Sequence, residues 1–228
     1  MADDYRVRSA ASRRERMRAR LMEAALLVLG RRGVEASIID EISALAGTSR
    51  GTFYNYFRSN EELLRSVAIE TGNEMMAAVA PIVESRPDPA WRVAAGVRGW
   101  LSLTARNPHL AAFFRRAGLY VLEQDSRVRV DMPRDLIAGI GSGRFTIARL
   151  ELGFDIVAGT VLSAINTIAT ADPPPDHGED VAQRILMALG VPAGEAAAIS
   201  RLDIRQAALP DRSLIVSSAR LAAAEFET

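Results

Sequence analysis

The sequence predicts an all-α fold in which an N-terminal head of short helices precedes a longer helical body. Apolar residues recur with a period near 3.6 through most of the chain, and no segment alternates as a half-buried strand does. Short clusters of Gly, Pro, Asn and Asp separate the periodic segments and mark turns. At 228 residues the chain is long enough for one helical domain or two small ones.

Eleven helical segments follow from this periodicity. Three consecutive prolines within residues 172–176 interrupt the pattern in the second half of the chain. We expect the helix over residues 119–140 to be kinked at Pro133. The predicted helices cover residues 13–31, 37–45, 49–57, 59–83, 89–105, 108–117, 119–140, 146–169, 179–189, 192–202 and 214–226.

Terminal residues support the four helices of the head. Gly33 follows the first helix as a C-terminal cap, and Ser37 offers an N-cap hydroxyl to the second. A turn at residues 46–48 leads into the short third helix. Ser59 and Glu62 have the spacing of a capping box at the start of the fourth helix.

Composition excludes several classes of protein. Hydrophobic residues make up 49% of the chain, which excludes a largely disordered protein. The longest charge-free run, residues 156–171, is shorter than the roughly 20 apolar residues that cross a bilayer, so we expect no membrane contact. The chain has no cysteine and two distant histidines, so we expect no metal site and no cofactor. The first residues lack an apolar signal core, which favours a cytoplasmic location.

Charge is balanced over the whole chain but concentrated at one end. All 28 basic residues are arginines, and 28 acidic residues match them. Residues 6–32 contain nine arginines against Glu15 and Glu23, whereas the segment from Thr71 onward is mildly acidic. A basic arm on an acidic body indicates contact with a polyanion, although a solvated charged surface gives the same pattern.

The second and third helices, joined by a turn that contains Gly47, have the arrangement of a helix-turn-helix motif. In the third helix Phe53 and Phe57 stand four residues apart, so we expect both to pack into the core. The opposite side then presents side chains of the kinds that contact base edges and phosphates in a major groove. These residues are Arg50, Gly51, Thr52, Tyr54, Asn55 and Tyr56.

Residues Leu21 to Leu63 resemble the tetracycline-repressor (TetR/AcrR) family of bacterial transcriptional regulators. The matching positions are Leu21-Met22-Glu23-Ala24-Ala25, Val28-Leu29, Gly33, Ile42, Ala46-Gly47, Ser49, Gly51, Phe53-Tyr54-Asn55-Tyr56-Phe57 and Glu61-Glu62-Leu63. The resemblance implies a homodimer, with a DNA-binding domain at residues 1–66 and an effector-binding and dimerisation domain at residues 67–228.

The resemblance also implies a set of DNA contacts. Ala36 and Ser37 stand where the family often has paired threonines, and Thr48 replaces its usual valine. Asn60 replaces a lysine that commonly touches phosphate, a role that Arg58 or the first-turn N–H groups of the fourth helix can take. The expected DNA-binding residues are Ser37, Thr48, Ser49, Arg50, Gly51, Thr52, Tyr54, Asn55, Tyr56, Arg58 and Asn60.

The body is expected to hold a small effector in a largely apolar pocket. The candidates are mostly aromatic, which favours an apolar or amphipathic effector, and each has the alternative of ordinary core packing. The candidate ligand-binding residues are Met75, Trp100, His109, Phe113, Phe114, Tyr120, Gln124 and Phe154.

The dimer interface is expected on the long apolar helix over residues 146–169. Its small residues Gly153, Ala158, Gly159 and Ala164 permit close approach of a second helix, and an internal helix of the monomer is the alternative. Partner residues are expected on the next helix, at Val181, Ile185, Leu186 and Leu189.

No catalytic motif is visible, and the Gly-rich run at residues 139–143 has neither the strand nor the lysine of a phosphate-binding loop, so we interpret it as a turn. The sequence therefore predicts a non-enzymatic dimeric repressor, released from a palindromic DNA operator by a small effector. The same residues are also compatible with a transcriptional activator. The alternative from another class is a helical small-molecule-binding or enzymatic protein with a vestigial head.

Overall fold

The computed structural model describes residues 2–32 and 38–226, with side chains described over residues 11–32 and 38–224. These residues form eleven α-helices, one 3-10 helix and no strand, so the predicted all-α fold is confirmed. The 3-10 helix covers Gly118–Leu122. The α-helices are α1 Ala2–Arg32, α2 Ile38–Leu45, α3 Arg50–Tyr54, α4 Asn60–Val83, α5 Pro89–Arg106, α6 Pro108–Ala117, α7 Val128–Gly141, α8 Leu150–Thr170, α9 His177–Ala188, α10 Ala193–Ser200 and α11 Leu214–Phe226.

Four predicted helices differ from the observed ones by three residues or more. Helix α1 begins at Ala2 rather than at residue 13, α8 begins at Leu150 rather than at residue 146, and two further differences change the local structure. The predicted helix over residues 119–140 is wrong, because the chain forms the 3-10 helix and then a turn before α7 begins. Buried Ser126 lies at the break, where its Oγ accepts a hydrogen bond from the backbone N–H of Val128 at 3.2 Å. The N–H of Arg127 donates instead to Asn73 Oδ1 on α4, at 2.8 Å. Pro133 lies inside α7.

The second difference is in the head, where α3 ends at Tyr54 rather than at residue 57. Asn55 is its C-cap, and the N–H groups of Tyr56 and Phe57 still bond back to the carbonyl of Phe53. The predicted caps Gly33 and Ser37 lie outside the described residues.

The Gly-rich run at residues 139–143 is a turn only in its second half. Gly139 and Gly141 belong to the last turn of α7, which the prediction missed. The chain turns at Ser142 and Gly143, where Gly143 has φ of 71°.

The head folds around the aromatic pair of α3, as the sequence predicts. Phe53 and Phe57 are buried, their ring centroids lie 5.9 Å apart, and both belong to the same core as Ile42 of α2 and the apolar side of α1. One half of the predicted capping box is present, since Ser59 Oγ accepts from the N–H of Glu62 at 3.1 Å, whereas the Glu62 carboxylate accepts from the N–H of Arg58 and not from that of Ser59. Helix α4 then continues from the head into the body without a break.

The head is fixed to the body through the carboxyl end of α1. Arg116 of α6 donates to the carbonyl oxygens of Leu29 and Gly30, at 3.2 and 2.8 Å. These bonds satisfy two carbonyl groups that the end of a helix leaves without intrahelical partners. Gly30 permits the close approach, because a Cβ there would lie 3.1 Å from the carbonyl oxygen of His109.

The C-terminal helix α11 completes this junction by packing against both α1 and α4. The carboxylate of Glu74 on α4 accepts hydrogen bonds from the N–H groups of Leu214 and Ile215, at 2.5 and 3.1 Å. Burial raises the pKa of Glu74, and these two N–H donors oppose part of that rise. On the other side of α11, Ser218 Oγ lies 3.1 Å from Nε2 of His109.

Helix α8 is the described helix that is long and apolar enough to span a membrane, at 21 residues and a mean hydropathy of 1.5. It packs instead against four helices of the body, α5, α6, α7 and α9. Three of its small residues point inward, because Gly153, Ala158 and Ala164 are buried, whereas Gly159 is exposed.

The residues expected on α9 as interface partners are likewise mostly internal. Ile185, Leu186 and Leu189 are buried within the chain, and Val181 is half-buried. The predicted place of Ile185, Leu186 and Leu189 in a dimer interface is therefore wrong, because α5, α8 and α10 of the same chain already cover that side of α9, whereas that of Val181 stays a prediction. Of the four small residues predicted for the interface on α8, Gly159 is the one that a second chain can reach.

Replacing Gly190 by Ala is expected to destabilise the fold by roughly 1–3 kcal/mol. Gly190 has φ of 97°, and a Cβ there would lie 3.0 Å from the backbone nitrogen of Thr146. Gly194→Ala in α10 is the matched control, since nothing lies within 4 Å of its Cβ position, and we expect it to be neutral or stabilising. Urea unfolding midpoints measure both effects, and equal midpoints for the two variants would contradict the prediction.

His109→Gln is expected to reduce the loss of stability on acidification. Burial lowers the pKa of His109 below 6.5, nearby Arg31 adds to this, and the backbone of Ile215 opposes it. As pH falls below about 6.5, the unfolded chain therefore binds a proton that the folded chain does not, and stability is lost down to the lower folded pKa. The free energy of unfolding in urea is compared between pH 7.5 and 5.5, and an identical drop in both proteins would refute this linkage.

Candidate functional site

The start of α3 is fixed by a pair of hydroxyl groups. Ser49 is the N-cap, and its Oγ accepts a hydrogen bond from the backbone N–H of Thr52 at 3.1 Å. The same Oγ lies 3.0 Å from Thr52 Oγ1, so the two side chains also bond to each other. Gly47, with φ of 64°, forms the turn that brings α3 against α2.

Helix α3 separates a buried side from an exposed one. Phe53 is fully buried, whereas Arg50, Gly51 and Asn55 are exposed, Tyr54 is 47% exposed and Thr52 is half-buried. We call the five residues Arg50, Gly51, Thr52, Tyr54 and Asn55 the recognition surface. Its donors and acceptors project from one short helix whose other side is anchored in the core, which is the geometry that a major groove accepts.

Arg50 at the start of α3 is held loosely. Its guanidinium lies 3.5 Å from the carboxylate of Asp40 on α2 and 6.0 Å from the ring centroid of Tyr54. Both charged side chains are more than half exposed, so this ion pair contributes little to stability. A phosphate or a base edge can therefore replace Asp40 as the partner of the guanidinium.

A groove runs between α3 and the amino-terminal half of α1. It is a shallow groove of about 580 Å³, open to solvent, and is lined by Arg13, Arg14, Met17, Thr52, Asn55 and Tyr56. Tyr56 is half-buried, and the guanidinium carbon of Arg14 lies 6.0 Å from its ring centroid. The recognition surface and the arginines of α1 thus border one groove.

The remaining predicted DNA contacts flank this surface. Thr48 is half-buried in the turn, and its N–H donates to the carbonyl of Ser43 at 2.8 Å. Arg58 is exposed, and its N–H donates to Glu62 Oε2 at 2.7 Å. Asn60 begins α4 with its Oδ1 buried, so this oxygen does not face solvent. Ser37 lies outside the described residues.

The body contains a separate, mostly apolar cavity of about 100 Å³. It lies between α4, α5, α7 and α8, with the 3-10 helix closing one side. Apolar side chains such as Val97, Trp100 and Val161 form most of its wall, and Gly96 and Ala158 leave the space open.

Charged groups lie at one end of this cavity. Arg92 of α5 donates to Asp135 Oδ1 of α7 from Nε at 2.8 Å and from a terminal nitrogen at 2.7 Å. The two side chains are only 17% and 12% exposed, and Asp131 and Arg134 line the cavity beside them. Both charged side chains thus contribute to the wall of a space whose surface is almost entirely apolar, and their polar atoms bond to each other.

Of the predicted ligand-binding residues, Trp100 lines this cavity and the others lie elsewhere. Met75, Phe113, Phe114 and Phe154 are buried in the core, and Tyr120 is half-buried with the guanidinium of Arg65 over its ring. His109 contacts α11, and Gln124 is exposed.

The sequence carried a weaker signal for the charged end of the cavity, which the aromatic criterion missed. In α5, Arg92 lies four positions before Gly96 and eight positions before Trp100. In α7, Asp135 lies seven positions after Val128 and four positions after Asp131. Charged residues on the inward stripe of an otherwise apolar helix indicate a polar site within the core.

Known sequences match most of the chain. The family described as "Bacterial regulatory proteins, tetR family" matches residues 21–67, and that described as "Tetracyclin repressor-like, C-terminal domain" matches residues 88–202. An uncharacterised HTH-type transcriptional regulator of Mycobacterium tuberculosis is 36% identical over 108 residues, which are 46% of this chain and 52% of the relative. The chain therefore spans about half the length of the curated relatives that it matches.

Solved structures share the fold over nearly the whole chain. RolR in complex with resorcinol is 30% identical with a TM-score of 0.72, and the match covers 87% of this chain and all of RolR. The fatty acid degradation regulator FadR from Bacillus halodurans is 18% identical with a TM-score of 0.62, covering 75% of this chain and 93% of FadR. The second likeness is one of fold alone.

Proposed function

The chain belongs to the TetR family of bacterial transcriptional regulators, and on that premise we propose that it is a dimeric, effector-released repressor acting on DNA in the cytoplasm. Helix α3 reads a palindromic operator, and a small aromatic molecule that enters the body cavity lowers the affinity for it. The observation that carries this function is the recognition surface, whose polar side chains are exposed while Phe53 of the same helix is fully buried.

Each side chain of the recognition surface has a role that its chemistry supports. Asn55 carries an amide that can form two hydrogen bonds with one adenine edge. Tyr54 presents a hydroxyl to the phosphate backbone, and Arg50 reaches either a guanine edge or a phosphate. Gly51 has only Ser49 Oγ near its Cβ position, so the backbone of α3 can approach the duplex closely there.

A helical protein with a vestigial head would have no physical need to keep these groups exposed. Solvent-facing positions in such a protein accept almost any polar residue, whereas the recognition surface combines an arginine, a tyrosine and an asparagine on one short helix.

Cavity size and polarity support a small aromatic effector. An apolar cavity of about 150 Å³ holds benzene, so a space of about 100 Å³ that opens slightly suits a single ring. Arg92 and Asp135 line this space, and we infer that a ring hydroxyl takes up one of their hydrogen bonds when it binds. RolR, at 30% identity, has been solved with resorcinol, a single ring with two hydroxyl groups.

We expect dimerisation through α8 because the rest of the chain leaves part of this helix exposed. Only 39% of its most apolar segment is buried within the chain. Leu152 is 43% exposed, and Gly159 has no atom within 4 Å of its Cβ position, so a second helix can lie close against it. A second copy of the chain on this side sets the two α3 helices for successive major grooves, about 34–36 Å apart.

Helix α4 connects effector and operator. Met76, Val79, Ala80 and Val83 near its carboxyl end line the cavity, while its amino end at Asn60 follows α3 in the head. A ligand that displaces the cavity end of this single 24-residue helix also moves the head. The effector thus favours a state in which the α3 separation no longer fits the operator.

The experiment that tests this function is selection of random duplex DNA by the purified protein at 50 and 200 mM salt. Enrichment of a palindrome, with affinity falling steeply as salt rises, supports a dimeric operator reader. Recovery of unrelated sequences only would overturn the proposal and favour a small-molecule-binding or enzymatic body with a vestigial head.

Two substitutions on α3 are expected to separate affinity from sequence preference. Tyr54→Phe removes a phosphate contact and weakens binding to all duplexes alike, by roughly 1–2 kcal/mol. Asn55→Ala relaxes the preference at one base pair, at a cost of about 1–3 kcal/mol for the operator only. Fluorescence anisotropy with the selected and scrambled duplexes measures both. Unchanged operator affinity in both variants would exclude α3 as the recognition helix.

Filling the cavity is expected to abolish the effector response while leaving operator binding intact. Ala158 is buried on the cavity wall, so Ala158→Phe occupies the space that a ring would take. We expect resorcinol to lower the operator affinity of the unaltered protein at least tenfold more than that of this variant.

Ala138→Phe on the exposed side of α7 is the control for added bulk, and it should respond to resorcinol normally. A full response in Ala158→Phe would place the effector outside the cavity. No response of the unaltered protein to resorcinol or to other single-ring phenols would rule out the proposed effector class.

A further inference from the structure

The amino-terminal half of α1 extends beyond the part of the chain that matches the family. That match begins at residue 21, whereas α1 begins at Ala2, so the extension adds roughly 28 Å of helix at 1.5 Å per residue. Within residues 11–32, where the side chains of α1 are described, Met17 is the first that packs on the core and Leu21 the first that is fully buried. Core packing therefore does not explain the arginine-rich segment of residues 13–20.

Charge in this extension is strongly one-sided. Residues 13–20 contain five arginines and a single acid, Glu15. All five arginine side chains are exposed. One glutamate cannot neutralise five guanidinium groups within two turns of helix, and such crowding of like charge is stabilised by a polyanion.

Four of these arginines are directed toward the head. Arg13 and Arg14 line the groove beside Thr52 and Asn55, the side chains that the recognition surface offers to bases. The guanidinium of Arg18 lies 5.5 Å from the ring centroid of Phe57. That of Arg20 lies against Gly47 in the turn before α3, where an added Cβ would be 2.6 Å from its terminal nitrogen.

We propose that Arg13, Arg14, Arg18 and Arg20, here called the arginine ridge, form a second DNA contact that grips the sugar-phosphate backbone flanking the bases read by α3. This inference rests on the proposed function and adds to it a longer footprint on the duplex. Arg13 and Arg14 of the ridge border the same groove as Thr52 and Asn55, so a duplex that receives α3 brings its adjacent backbone against their guanidinium groups. Arginine suits this contact because its planar donors pair with phosphate oxygens in a fixed geometry.

Such contacts add affinity without adding sequence preference. Each phosphate that a guanidinium neutralises releases condensed counterions and contributes about 0.9 to the slope of log K against log salt. Loss of a ridge contact therefore changes the slope of log K against log salt. Loss of a base contact changes the ratio of the affinities for the operator and the scrambled duplex.

The test compares Arg14→Gln with Arg16→Gln. Both variants remove one positive charge from the same part of α1 and keep a good helix former. Arg14 borders the groove. Arg16 follows it by two positions, which is a rotation of about 200° around the helix axis, and its guanidinium donates to Ser12 Oγ at 2.5 Å. Anisotropy titrations between 50 and 200 mM salt use the duplex enriched by the unaltered protein and a version trimmed to the selected bases.

We expect Arg14→Gln to lower the slope on the long duplex by about 1.8, one phosphate for each protomer of a dimer. Arg16→Gln should retain the slope of the unaltered protein, and the ratio of operator to scrambled affinity should stay constant in both variants. Trimming the flanks should lower the slope in both proteins, but less in Arg14→Gln, which lacks the phosphate contact of Arg14.

Equal slopes for both variants, or a flank effect of the same size in Arg14→Gln and in the unaltered protein, would overturn the ridge while leaving the operator function in place. Failure of the unaltered protein to select any sequence is a different result, because it overturns the proposed function itself. Melting curves followed by circular dichroism check that both variants keep the fold.

Discussion

The contact between the carboxyl end of α1 and helix α6 determines where the head sits on the body. Arg116 binds the carbonyl oxygens of Leu29 and Gly30, and the missing side chain at Gly30 lets the backbones of the two helices approach each other. Helix α11 covers the same region, held by the Glu74 carboxylate at its amino end. Because α1 also carries the core of the head, a displacement of α6 or α4 cannot leave the head in place.

Arginine performs two different tasks in this protein, and burial separates them. Arg98 is 12% exposed and connects α5 to the carbonyl of Leu202 and to Glu179 on α9, so its donors are used internally. The arginine ridge is exposed, and its guanidinium groups lie against aromatic rings and a turn. A chain without lysine thus uses one side chain both to bind helix ends and to present positive charge to a polyanion.

The body cavity combines features that favour a ligand over simple packing. A buried ion pair such as Arg92–Asp135 loses much of its attraction to the cost of leaving water, so it adds little to the stability of the fold. Beside an apolar space, the same pair is the part of the wall that we propose to orient an effector with both a ring and a hydroxyl group. The residues that line this space come from α4, α5, α7 and α8, and α4 alone among them continues into the head.

Local sequence determined the head of this protein, and tertiary packing decided the body. Caps at Ser49 and Ser59, the turn at Gly47 and the pair Phe53 and Phe57 depend on residues at most four positions apart, so their structure follows from the sequence itself. In the body, the chain before α7 is held by a hydrogen bond to Asn73, which is distant in sequence. The cavity lies between four helices, and Leu186 and Leu189 are buried by the helices that pack against α9. The positions of aromatic residues in the sequence cannot distinguish the wall of a cavity from a filled core. That difference arises only when helices distant in sequence pack together, because their packing decides whether a space remains between them.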